Sequence, residues 1–192
     1  MRSERLIYCL AVILLLFAGC STSEQTPVEN ANSPAATEEA EDASEATPPD
    51  QWTITEVAAG PIRIGMTVSE ASQASGLDLR PLGNDSNCHY VKPEGDTGLA
   101  FMVIDGRIAR VDVDDKSLAT SVGARVGDSE ERIKLIYLNQ VEVTPHKYTE
   151  GHYLTVTPAG SSDRIVFETD GQNVTRYRAG RLPEVTWIEG CS

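Results

Sequence analysis

Hydrophobic and polar positions divide the chain into three regimes. Leu6 to Phe17 is an unbroken apolar run. Residues 21–50 then hold Val28 as their only large aliphatic and no aromatic side chain. From Gln51 onward, apolar residues return in short groups whose spacing alternates between helical and extended periods. Thr67-Val68-Ser69-Glu70 forms a capping box that predicts a helix ending near Gly76, a residue suited to the left-handed conformation just past a helix. Asp128-Ser129-Glu130-Glu131 predicts a second helix, with Asp128 as its cap, running through Ile133, Leu135, Ile136 and Tyr137 towards Asn139. Period-2 runs follow each helix. CHYVKP precedes LAFMVIDGRIARVDVD, in which Asp105-Gly106 predicts a tight hairpin turn. VEVTPHKY, HYLTVTP and DRIVFETDGQNVTRYRAG follow the second helix, with Asp170-Gly171 as the matching turn.

The two groups share more than their order. Arg63-Ile64-Gly65 corresponds to Arg125-Val126-Gly127, 62 residues on, and the Asp-Gly turns lie 65 residues apart. These offsets predict an α+β fold: a tandem repeat of a helix-then-antiparallel-strands unit, forming one continuous sheet backed by helices. Repeat one spans about 60–120 and repeat two about 121–192, within a domain at 52–192.

The apolar run at the start is too short to span a bilayer, which takes roughly 20 residues, but suits the core of a secretory signal. Arg2 and Arg5 precede it, and Ala18-Gly19 leads directly into Cys20. This junction resembles the lipobox of bacterial lipoproteins, with Phe17 standing where Leu is usual. The resemblance implies a signal peptide at 1–19 and lipidation of Cys20; a plain signal cut near Ala18 is the alternative. Ser21, in place of Asp, implies the outer membrane, with the domain facing the periplasm. Residues 20–51 then form an acidic linker unable to bury enough surface to order itself. A spacer is the simplest role for it, a recruiting acidic tail the other.

Charge sharpens this division. The formal net charge is −13, but residues 21–50 hold eight acids and no Lys or Arg and residues 1–20 carry +1, leaving −6 on residues 51–192. An acidic domain lacks the clustered Lys and Arg that phosphate contacts need, so nucleic acid is not an expected partner. The membrane is expected to hold the protein through its N-terminal lipid alone. Cys88 and Cys191 remain in the folded part, and in an oxidising compartment an even pair predicts a disulfide.

Ile62 to Ala71, reading IRIGMTVSEA, resembles the helix start of the SmpA/OmlA family of outer-membrane assembly lipoproteins. A similar unit in tandem makes up β-lactamase inhibitory protein. The resemblance implies a concave antiparallel sheet backed by helices and an envelope protein as partner. The second copy departs from it, reading Gly127-Asp128-Ser129. Inhibition of a periplasmic or secreted hydrolase is the alternative function, followed by a ligand- or metal-binding lipoprotein.

No catalytic motif competes with these readings: the chain lacks a G-x-S-x-G elbow, a phosphate-binding Gly-rich loop and H-E-x-x-H. A non-enzymatic protein without a cofactor is expected. His146 and His152 are weak metal candidates. A three-residue loop at 149–151 would set them diagonally on one hairpin face, where a metal would still need added carboxylates. The candidate binding face comprises Tyr148, Tyr153, Arg176, Arg178 and Trp187, residue types that dominate protein interfaces. Alternation puts Arg176 and Arg178 on one side of their strand and Tyr177 on the other.

Overall fold

Both helices start where a hydroxyl closes their first turn. In the computed structural model, which describes residues 47–83 and 87–192, α1 (Val68–Ser75) begins at Thr67. Thr67 Oγ1 accepts from Glu70 N at 3.2 Å, and Glu70 Oε2 accepts from Thr67 N at 2.7 Å. Gly76 ends the helix at φ 69°. The second helix, α2 (Glu130–Tyr137), is capped by Ser129, which accepts from Arg132 N at 3.2 Å. The cap is thus one residue later than expected, because Asp128 is engaged elsewhere: its Oδ2 accepts from Arg125 N and its Oδ1 pairs with Arg132. The expected signal peptide, Cys20 and the linker up to residue 46 lie outside the described residues.

The fold is α+β and mostly strand, with twelve strands and two α-helices among the described residues. They form two sheets, where one was expected. Short strands β1 (Thr53–Thr55), β2 (Ala58–Ala59) and β3 (Ile62–Arg63) join β8 (Ala119–Thr120) in the order β3-β2-β1-β8. The large sheet holds β4 (Leu79–Leu82), β5 (Cys88–Pro93), β6 (Leu99–Ile104) and β7 (Arg107–Val113), which follow α1. It also holds β9 (Val141–Pro145), β10 (His152–Val156), β11 (Arg164–Thr169) and β12 (Val174–Gly180), which follow α2. Its order is β4-β5-β6-β7-β12-β11-β10-β9, antiparallel throughout. The two sets of four meet at β7 and β12, where Gly180 pairs with Arg110. A Cβ there would stand 2.4 Å from Ala109 O, so only glycine fits this approach.

Turn chemistry accounts for the hairpins. Asp105 and Gly106 both have positive φ, 50° and 77°, as a two-residue primed turn needs. Asp170-Gly171 belongs to a wider loop, 170–173, in which Asp170 Oδ1 accepts from Gln172 N and Asn173 N. Alternation then sends one set of side chains towards the helices. Phe101, Val111, Leu154, Phe167 and Tyr177 pack there with Ala71, Ile133 and Tyr137, and Trp52 and Ile54 complete the cluster. Full burial of each large apolar side chain contributes about 1.5–3 kcal/mol, which makes this layer the main source of stability.

Candidate functional site

The other face of the same strands carries charge. Arg110 and Asp112 on β7, Glu168 on β11, and Arg176 and Arg178 on β12 all point away from the helices, as do Tyr90 and Tyr153. Arg110, Glu168 and Arg178 are nonetheless buried, at 3%, 2% and 4% exposure. What covers them is the C-terminal segment, residues 181–192, which crosses this face as a strap. Arg110 Nη1 donates to Glu184 O at 3.0 Å and Trp187 O at 2.7 Å, and Arg178 Nε donates to Val185 O at 2.6 Å. Val185 and Ile188 fill an apolar patch made by Tyr153 and Val166.

The remaining valences close among themselves. Arg178 Nη1 and Arg176 Nε donate to the two oxygens of Glu168, the latter at 2.6 Å. Arg110 holds Asp112 through two hydrogen bonds of 2.8 and 2.9 Å and donates to Tyr90 Oη at 2.7 Å. Burial works against the charge of Glu168, but Arg178 and Arg176 outweigh it and hold its carboxyl below the ordinary range. Burial lowers Arg178 despite the favourable Glu168. Tyr90 is pushed up to about 12, by burial first and by the nearby Asp112 second.

At its far end the strap is covalently fixed. Cys88 and Cys191 form a disulfide with Cα atoms 5.4 Å apart, across 103 residues of chain. Glu189 adds an ion pair to Lys147 at 2.6 Å and accepts from Tyr148 Oη. Beyond Ile188 the sheet face opens into a hollow of about 370 Å³, bordered by Leu82, Ala100, Asp112, Arg176 and Gly190.

The expected binding residues therefore separate. Tyr148 is exposed at 61%, Trp187 at 37%, and the Arg176 side chain at 59%. Tyr153 and Arg178 are buried under the strap and present no surface to a partner. The histidines separate as well. Pro145 ends β9 opposite His152, and residues 146–151 form a longer loop than expected, closed by His146 N donating to Gly151 O. His146 consequently lies on the strap side, stacked on Tyr153 with its Nε2 3.5 Å from Glu168 Oε2. His152 lies on the helix side, its Nδ1 2.8 Å from Glu130 Oε1. The pair cannot share a metal, and among the described residues no group of three His, Cys, Asp or Glu is placed to hold one.

Glu130, in the first turn of α2, is buried in a dense polar environment. Burial raises its pKa, but hydrogen bonds from Thr169, His152 and Lys134 outweigh that and leave it lowered. Sequence reasoning missed Arg110 and Glu168. Each sits at the phase opposite the core positions Val111, Val113 and Phe167, which alternation alone reads as solvent-facing, so no local signal marks their burial.

No family model and no curated protein matches the chain. Among solved structures, the crystal structure of the uncharacterised protein YfeY from Escherichia coli matches with a TM-score of 0.48 at 15% identity. The match covers 67% of this chain and 99% of that one. No described helix is long and apolar enough to cross a membrane.

Proposed function

We propose that the chain is a lipid-anchored envelope protein that binds another envelope protein through the helix-free face of its large sheet, without catalysing a reaction. The observation that carries this reading is the uncovered part of that face. Helices fill one side of the sheet and the strap covers part of the other, but Leu82 and Arg176 stay exposed beside the hollow. Trp187 is exposed on the strap itself and Tyr148 in the β9–β10 loop, where it donates to Glu189. Arginine and large aromatics beside a shallow concavity are the usual anchors of a protein interface. The helix-plus-four-strands order, occurring twice, supports reading the domain as a tandem-repeat scaffold of the SmpA/OmlA and β-lactamase inhibitory protein type. Cys20 supplies the anchor, to the outer membrane, and residues 21–46 the reach.

Crosslinked affinity capture from native envelopes tests the binding. One abundant partner is expected with the wild type and not with the Tyr148→Ala, Arg176→Ala, Trp187→Ala form. Equal recovery with both would remove this face from the interaction. Metabolic labelling with palmitate tests the anchor: label incorporated by the wild type and lost in Cys20→Ser is the expected pair of results.

A further inference from the structure

The surface under the strap is built unlike the rest of the interior. The helix-side core is mainly apolar, whereas this seat has a floor of buried ions set among Met102, Tyr153 and Val166. Its two buried arginines grip the strap by main-chain carbonyls alone: those of Glu184, Val185 and Trp187. The strap's side chains add two aliphatics three residues apart, Val185 and Ile188, over the floor, and Glu189 against Lys147 and Tyr148 at the rim. Such an interface accepts any segment of that backbone course and that aliphatic spacing. The strap itself is an imperfect occupant. Arg181 holds Oε1 of Glu184 at 2.9 Å, but the other carboxylate oxygen, Oε2, is buried with no hydrogen-bond partner among the described residues, which burial penalises.

We propose that this groove is a peptide-docking site, taking from another protein a segment with aliphatic residues at i and i+3 and an uncharged residue just before the first. The chain's own strap is the competitor that occupies it, and Cys88–Cys191 is the latch. The half-buried cystine borders an open hollow of about 490 Å³ shared with Lys147, Trp187 and Ser192, so a reductant can reach it. The reductant is a dithiol of the thioredoxin class. Its thiolate attacks one sulfur of the cystine, forming a mixed disulfide and releasing the other cysteine as a thiolate that takes up a proton. Its second thiol then displaces the remaining sulfur. The cystine thereby gains two electrons and the reductant leaves as a disulfide. Untied, the strap holds its seat only by non-covalent contacts, and an incoming segment reproduces those made to the floor. The proposal does not rest on the anchor; it meets the exposed face described above at Trp187, a strap residue, and at Tyr148, which donates to Glu189 of the strap.

The test uses the full chain in detergent and a fluorescein-labelled peptide of residues 181–190 carrying Glu184→Gln. Fluorescence anisotropy is followed for the oxidised wild type, the wild type in dithiothreitol, and the Cys88→Ser, Cys191→Ser form. Saturable binding at least tenfold tighter to the two open forms than to the oxidised one is expected. A peptide also carrying Val185→Asp and Ile188→Asp should not bind. Far-UV circular dichroism and hydrogen exchange over 181–192 run in parallel. The proposal is overturned if the open forms keep the strap as protected as the oxidised form and take up no peptide. Unfolding of both open forms would equally overturn it, by making the strap part of the fold itself. A shift to dimer mass that excludes the peptide would assign the groove to a second copy of this chain and overturn the foreign segment.

Discussion

Along β11 and β12, neighbouring residues enter two interiors of opposite chemistry. Phe167 and Tyr177 face the helices, with ring centroids 5.3 Å apart in an apolar layer. Glu168 and Arg178, one position on, face the strap and pair with each other. All four are buried, so burial alone does not distinguish the two faces. What distinguishes them is tolerance. An apolar layer accepts approximate shapes, while a buried ion needs its particular partner or it destabilises the fold. The helix face therefore sets stability, and the strap face sets which segment may lie upon it.

The largest effects should separate the two faces by their pH dependence. Phe167→Ala is expected to cost about 3–5 kcal/mol by urea denaturation, at neutral pH and at pH 3 alike. Glu168→Gln should cost about 3–5 kcal/mol at pH 7, since it strands Arg178. Glu168 titrates lower when folded, so the unfolded chain binds more protons and acid disfavours the native state. The contribution of Glu168 is present above its unfolded pKa, about 4.3, and is lost as the pH falls through the folded value. The cost of Glu168→Gln should shrink at pH 3, and an undiminished cost there would show that the charge is not what matters. Pairing Glu168→Leu with Arg178→Met should cost less than Glu168→Gln alone, because no stranded ion remains.

Serine at both Cys88 and Cys191 comes next, at about 2–4 kcal/mol, from the long loop that the bridge closes. A smaller contrast lies at the helix starts. Thr67→Ala and Ser129→Ala should each cost about 1 kcal/mol, with Thr67 the larger because Glu70 also loses its hydrogen bond to the Thr67 hydroxyl. Arg176→Ala should change stability by under about 1 kcal/mol, its side chain being mostly in solvent. That small effect makes it a usable probe of binding, whereas Arg178→Ala would confound folding with contact.

Local chemistry was legible in the sequence and remote pairing was not. The Thr67 box, the Gly76 stop and the Asp105-Gly106 turn involve residues within a few positions of one another, and each stands as expected. The disulfide was legible because two cysteines in the folded part leave one pairing. β4 was missed: LRPL has no alternation, and Pro81 argues against a strand except at the sheet edge, where it lies. The small sheet escaped because its strands are two or three residues long, too short to show any period. The histidine hairpin slipped because Pro145, not Tyr148, is the last paired residue of β9, which widened the loop and turned His146 to the far face. Arg178 was placed on the correct side of its strand, but nothing local reveals that residues 181–192 fold back over it.

The small sheet also determines how the domain meets mechanical tension. Any pull through the chain ahead of Thr47 reaches the fold at Trp52, which is buried against Gly60 and ties its Nε1 to Thr47 O at 2.8 Å. Behind Trp52, β1 is flanked on both sides, antiparallel by β2 and parallel by β8. A force along β1 must shear both ladders together and cannot unzip one bond at a time. Tension entering at this end of the described fold is therefore met by both ladders of the small sheet before it reaches either face of the large one.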